Sequence, residues 1–173
     1  MSYYFSIKRE VERIKPIVDF IRDTLDYDER ERAINILNLI KKLDIRIKYD
    51  KGITRPIFIV AENEPYIKVK EQEQLLDKEW KSALVRFSLY SLWVAQGGEY
   101  PIPSNISYLI TQAGRELLIP SYSFLHDIKE ITKEQRKLYP EDIYWLSIKY
   151  QVSEKDIYNK GYRMGVFKTM FDS

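Results

Sequence analysis

The sequence predicts an α+β fold, mostly helical, with a small three-stranded sheet near its middle. Two observations lead there. Apolar residues recur at three- and four-residue spacing over most of the chain, but between Ile45 and Val69 the period falls to two. The strand-like segments are also consecutive rather than alternating with helices, which argues against a doubly wound parallel sheet. With 173 residues, 45% of them hydrophobic, the chain is long enough for one domain with its own core and short for two.

Taken in order, Ile7, Val11, Ile14, Val18, Ile21 and Leu25 draw one apolar stripe on a helix, with Pro16 placed to kink it or split it in two. Asp28-Glu29-Arg30-Glu31 reads as a capping box opening a helix that buries Ala33, Ile36, Leu37 and Ile40 and ends near Leu43. Ile45, Ile47 and Tyr49 alternate with charged residues as a half-buried strand, and Lys51-Gly52 makes a turn. Ile57 to Val60 and Tyr66 to Val69 are further strands, and the short Glu62-Asn63-Glu64-Pro65 turn between them favours antiparallel pairing. The helical period returns from Leu75 to Ala95 through Trp80, Ala83, Leu84, Phe87, Ser91 and Val94, and Gly97-Gly98 stops it. Ser104 or Asn105 caps a helix running to Leu118, before Pro120. Helical pieces follow from Ser121 or Ser123, from Thr132 to Leu138, from Pro140 to Tyr150, and after a Ser153 cap, the last carrying Ile157, Met164 and Phe167.

Composition removes several kinds of chemistry. There is no cysteine, which excludes disulfides, thiol catalysis and cysteine-ligated zinc, and the single histidine, His126, excludes multi-histidine sites. A net charge of +2 neither announces nor forbids a nucleic-acid partner. The start, Met1 to Phe5, lacks a cationic stretch followed by an apolar run, and no uncharged segment is long enough to cross a bilayer, so a cytoplasmic protein without membrane contact is expected. Fourteen tyrosines suit interfaces, although a chain rich in Ile, Lys and Tyr is also what an AT-rich genome encodes.

Four segments, in order, resemble one family. Arg86-Phe87-Ser88-Leu89-Tyr90-Ser91-Leu92-Trp93-Val94-Ala95 is similar to the signature helix R-F-T-L-A-H-E-L-G-H of the ImmA/IrrE family of small bacterial and phage metallopeptidases. Leu109 to Pro120, ending Glu116-Leu117-Leu118-Ile119-Pro120, resembles the family's E-A-N-x-F-A-A-E-L-L-M-P segment, and Ile143 to Gly165 its closing helix pair. Ile40 to Ile47 looks like the helix and strand before the signature. The resemblance implies a zincin-like metallopeptidase scaffold over residues 28–165, with 1–27 as a helical extension of the same domain, 1–173.

In that family an H-E-x-x-H helix aims two histidines, one turn apart, at one metal, and the glutamate is the base for the zinc-bound water. By the resemblance, the histidine positions are Ser91 and Ala95, the glutamate is Leu92, and the acidic third ligand is Leu109. Leucine and alanine carry no ligand atom, and a serine hydroxyl is a feeble one at neutral pH. A pseudoenzyme is therefore expected, with no catalytic residue, metal or cofactor, its former cleft filled by side chains so that no unpaired polar group is buried. No other chemistry takes its place: Ser91 has no evident base, Gly97-Gly98 is a helix stop rather than a phosphate cradle, His126 reads as a surface residue, and Glu71/Glu73 and Asp26/Asp28 read as solvated charge.

Active members of the family inactivate repressors of phages and mobile elements, so the resemblance implies a protein partner, a helix-turn-helix repressor or another transcriptional regulator, held without being cut. Tyr158, Tyr162 and Arg163 are the expected exposed anchors. The alternative is a DNA-binding regulator. Tyr144–Tyr150, a turn at Gln151-Val152 and Ser153–Met164 form a helix-turn-helix-like pair with Lys155, Asn159, Lys160 and Arg163 on its second helix, although Glu154 and Asp156 at its start repel phosphate.

Overall fold

In the computed structural model, which describes residues 2–25, 34–133 and 138–167, the two periods of the sequence become helices packed around a small sheet. Helix α1 (Ser2–Leu25) is continuous through Pro16 rather than split in two there. Ile14, Val18, Ile21 and Leu25, on both sides of the proline, are buried in one core, and α1 lies along a later helix, α4 (Ser104–Leu118). Packing of the stripe on both sides of Pro16 outweighs one missing backbone hydrogen bond.

The expected capping box at Asp28–Glu31, with Ala33, lies outside the described residues. Helix α2 (Ile36–Lys42) is capped instead by Asn35, whose Oδ1 accepts from the amides of Leu37 and Asn38 at 3.0 and 3.1 Å. It buries Ile36 and Leu39; Leu37, expected inside, is on the exposed side.

Strands β1 (Ile47–Tyr49), β2 (Ile57–Ala61) and β3 (Glu64–Val69) form a mixed sheet in the order β1-β3-β2. The expected antiparallel pairing joins β2 to β3, with Phe58 opposite Ile67, while β1 joins β3 in parallel, Ile47 opposite Ile67. The hairpin is tighter than expected. Only Glu62 and Asn63 form its loop, both at positive φ (53° and 65°), and Glu64 and Pro65 already belong to β3. Pro65 is tolerated because β1 pairs only from Ile67 onward, so that end of β3 is an edge.

After a 3₁₀ turn at Gln72–Leu75, helix α3 (Lys78–Ala95) opens under Asp77, whose carboxylate accepts from the Glu79 amide at 2.9 Å. It packs on β3 and β2, on α2 and on α4. Gly114 of α4 sits where an added Cβ would lie 3.4 Å from Val85 Cγ1, so the two helices approach closely. The expected Gly97-Gly98 stop is a Schellman motif: Gly97 has φ 83°, its amide donates to the Val94 carbonyl at 3.0 Å, and the Gly98 amide donates to the Trp93 carbonyl at 2.9 Å.

Helices α5 (Ser121–Ile131), α6 (Pro140–Tyr150) and α7 (Glu154–Arg163) complete the fold. The piece expected at Thr132–Leu138 falls mostly outside the described residues. Gln151, at φ 52°, ends α6, and Ser153 caps α7 by accepting from the Asp156 amide at 3.2 Å. Met164 caps the end of α7, and Phe167 lies beyond the helix rather than on it. A turn at Gly165 (φ 66°) folds Phe167 back onto Gly161, where its ring occupies the space of a Cβ. Replacing Gly161 by Ala is expected to cost about 1–3 kcal/mol through overpacking, despite alanine's better helix propensity. Urea unfolding should show a lower midpoint at unchanged slope; an unchanged midpoint would mean that the ring moves aside freely.

Candidate functional site

Ser91, Leu92 and Ala95 lie in the second half of α3, and Leu109 in α4. The structure brings two of the four together. Leu92 and Leu109 line one groove of about 350 Å³ between α1, α3 and α4, beside Pro16, Ile17 and Phe20. Ser91 points into the core, and its hydroxyl is buried with no hydrogen-bond partner among the described residues. That corrects the expectation of a filled cleft without unpaired polar groups. Ala95, one turn further along, is exposed in the last turn of α3. Among the described residues, no group of three or more His, Asp or Glu side chains is placed to hold a metal.

Two buried charge clusters, neither marked out by the sequence, tie the C-terminal helices together. Glu116, in the last turn of α4, accepts from the Ser121 amide at 2.8 Å and the Ser121 hydroxyl at 2.6 Å, and so caps α5 across Pro120. The Lys160 ammonium of α7 donates to the same carboxylate at 2.8 Å, and both side chains are largely covered. The resemblance at Glu116-Leu117-Leu118-Ile119-Pro120 thus falls on a structural clasp. In the second cluster, Asp127 of α5 accepts from Lys149 at 2.8 Å and from the buried Tyr150 hydroxyl at 2.7 Å. His126 next to it is exposed, as expected, with Nδ1 3.9 Å from Asp127.

The three expected anchors differ from one another. Tyr162 is half exposed and Arg163 reaches Tyr108 of α4, Nη2 to Oη 3.5 Å. Tyr158, by contrast, is half buried, edge-on to Phe167 at 5.9 Å between ring centroids, and serves the core. The basic set proposed for DNA also changes. Lys160 is held inside the fold by Glu116, leaving Lys155 and Asn159 as its exposed members.

One charged residue inside α3 was missed by the sequence reading. Of the expected stripe Leu84 and Ser91 are buried, but Trp80, Ala83, Phe87 and Val94 are only half buried; the buried face runs through Lys81, Leu84, Val85, Ser88, Leu89 and Ser91. The doublets Leu84-Val85 and Ser88-Leu89, four apart, point back to Lys81. It is 6% exposed and has no hydrogen-bond or ion-pair partner among the described residues, and burial pushes its ammonium down from the usual 10.5 to about 8.

Below about pH 8 both folded and unfolded chains hold the Lys81 proton, and the fold bears the full penalty of the buried charge. Between about 8 and 10.5 the unfolded chain binds more protons, so this contribution makes stability rise with pH. Lys81→Met is therefore expected to be more stable than the wild type at pH 7, with the gap closing as pH is raised towards 10.5 in paired urea titrations. A gap independent of pH would show that the ammonium carries no such penalty. Glu116→Ala removes both the α5 cap and the partner of a covered ammonium, and is expected to cost about 3–5 kcal/mol in the same unfolding measurement. Compared with known proteins, the chain matches no protein-family model, no curated protein and no solved structure, so the chemistry of these sites has to be read from their own residues.

Proposed function

We propose that this protein is a binding protein built on a zincin-like scaffold, a pseudoenzyme that holds another protein rather than cutting it. One observation carries the reading. The positions that supply the base and the third metal ligand in the family it resembles are Leu92 and Leu109, and they share the apolar groove between α1, α3 and α4. Water activation at that place would need a carboxylate and metal ligands, and the groove there is lined mainly by apolar side chains, with Gln96 at its edge. The resemblance implies a partner among transcriptional regulators, with a helix-turn-helix repressor as the leading class. For the contact surface we favour the patch formed by Tyr108, Tyr162 and Arg163, residue types that dominate binding energy when an interface covers them.

Zinc titration followed by calorimetry is expected to show no stoichiometric tight site; one equivalent bound at submicromolar affinity would overturn the reading. Affinity capture with the wild type and with Tyr162→Ala/Arg163→Ala should separate a transcriptional regulator retained by the first from its loss, by about tenfold or more, with the second. Equal retention by both would remove this surface from the proposal. A gel shift on random duplex DNA tests the alternative, since phosphate contacts weaken steeply between 50 and 200 mM salt, roughly a thousandfold for six contacts. A salt-sensitive shift would favour the DNA-binding regulator over the protein-binding one.

A further inference from the structure

Lys81 opens into a cleft of about 500 Å³ at the other end of α3 from Leu92, between α2, the 3₁₀ turn, α3 and α6. Buried Ile34, Ile36 and Leu75 form its inner wall, and the exposed side chains of Leu37, Leu76 (64% exposed) and Ile148 (54% exposed) stand at its mouth. A volume of this size falls in the range that encloses small ligands. Apolar walls around one convergent charge are the usual make-up of such a site.

Among the described residues no anion accompanies this charge. An unpaired ammonium in hydrocarbon surroundings is costly, and at the end of the first turn of α3 it also faces the positive end of the helix dipole. None of the other polar lining groups is hydrogen-bonded to it: the Ser147 hydroxyl donates to the Tyr144 carbonyl, Asn35 caps α2, and the neutral Gln151 amide stands on the exposed side. Lys78 lies at the rim, its ammonium 5.9 Å from the Tyr144 ring centroid. One enclosed cation suits a head group of single charge, and walls made of isoleucine and leucine suit an aliphatic tail.

We propose that this cleft binds an aliphatic monocarboxylate, its head on Lys81 Nζ and its chain between Leu37, Leu76 and Ile148. The site is separate from the protein-binding surface and does not depend on it. The ligand's carboxylate supplies the partner that Lys81 lacks among the described residues, and its chain covers the apolar mouth.

The test uses the full chain, with sodium octanoate and uncharged octanamide titrated against backbone amide chemical shifts. Octanoate should saturate, shift the amides of Leu37, Leu76 and Ile148, and bind at least tenfold tighter than octanamide. Affinity should rise about fourfold per methylene across the series from butanoate to octanoate. Lys81→Met should abolish the preference for octanoate over octanamide. Leu76→Asp, at an exposed position that does not threaten the core, should weaken octanoate at least tenfold while sparing octanamide more. Equal affinity for acid and amide, shifts centred on Leu92 and Leu109, or an unaltered preference in either variant would overturn the proposal.

Discussion

Helix α3 is covered on several sides, and most of the fold follows from that constraint. The sheet covers one face, α4 another, and α2 with the 3₁₀ turn covers its first half. A helix so enclosed leaves buried polar side chains few partners, and its buried face carries Lys81, Ser88 and Ser91 beside Leu84, Val85 and Leu89. Gly114 lets α4 come close to α3, and α1 packs along α4. The polar exceptions on α3 stand out for the same reason. Ser88 returns its hydroxyl to the Leu84 carbonyl at 2.9 Å, whereas Ser91 and Lys81 find no partner among the described residues.

The C-terminal half is held differently. There the helices are short, and buried charge fixes how they meet. Glu116 joins α4, the start of α5 and α7 through one carboxylate, and Asp127 joins α5 to α6 through Lys149 and Tyr150. Pairs of this kind add modest net stability over a well-packed apolar alternative, but losing one member strands the other. Their value lies in geometry. Lys160 turned inward to Glu116 sets the face that α7 shows to solvent, and Tyr162 stands on that face.

The apolar groove at Leu92 and the proposed carboxylate cleft at Lys81 sit at opposite ends of α3, the two residues roughly 16 Å apart along the axis at 1.5 Å per residue. Each lies where the enclosure of α3 is incomplete: at one end an apolar groove along α1 and α4, at the other the cleft that Lys81 lines.

Much of the architecture was legible in the sequence, because period and punctuation are local. The α+β class, the antiparallel β2–β3 pair, the Gly97-Gly98 stop, the bounds of α4 and α6 and the Ser153 cap all follow from residues within a few positions of one another. The errors share a cause. Pro16 sits inside an unbroken helix, Leu37 is outside and Leu39 inside, Tyr158 is half buried under Phe167, and the Ser91 hydroxyl has no partner among the described residues. Each depends on which element lies across from the residue. The sequence by itself determined where helices and strands form and which residue types stand at Ser91, Leu92, Ala95 and Leu109. Only the tertiary structure decided that Leu92 meets Leu109, that Lys160 turns inward and that Lys81 is buried, because these pairings join residues far apart in the chain and no local periodicity encodes them.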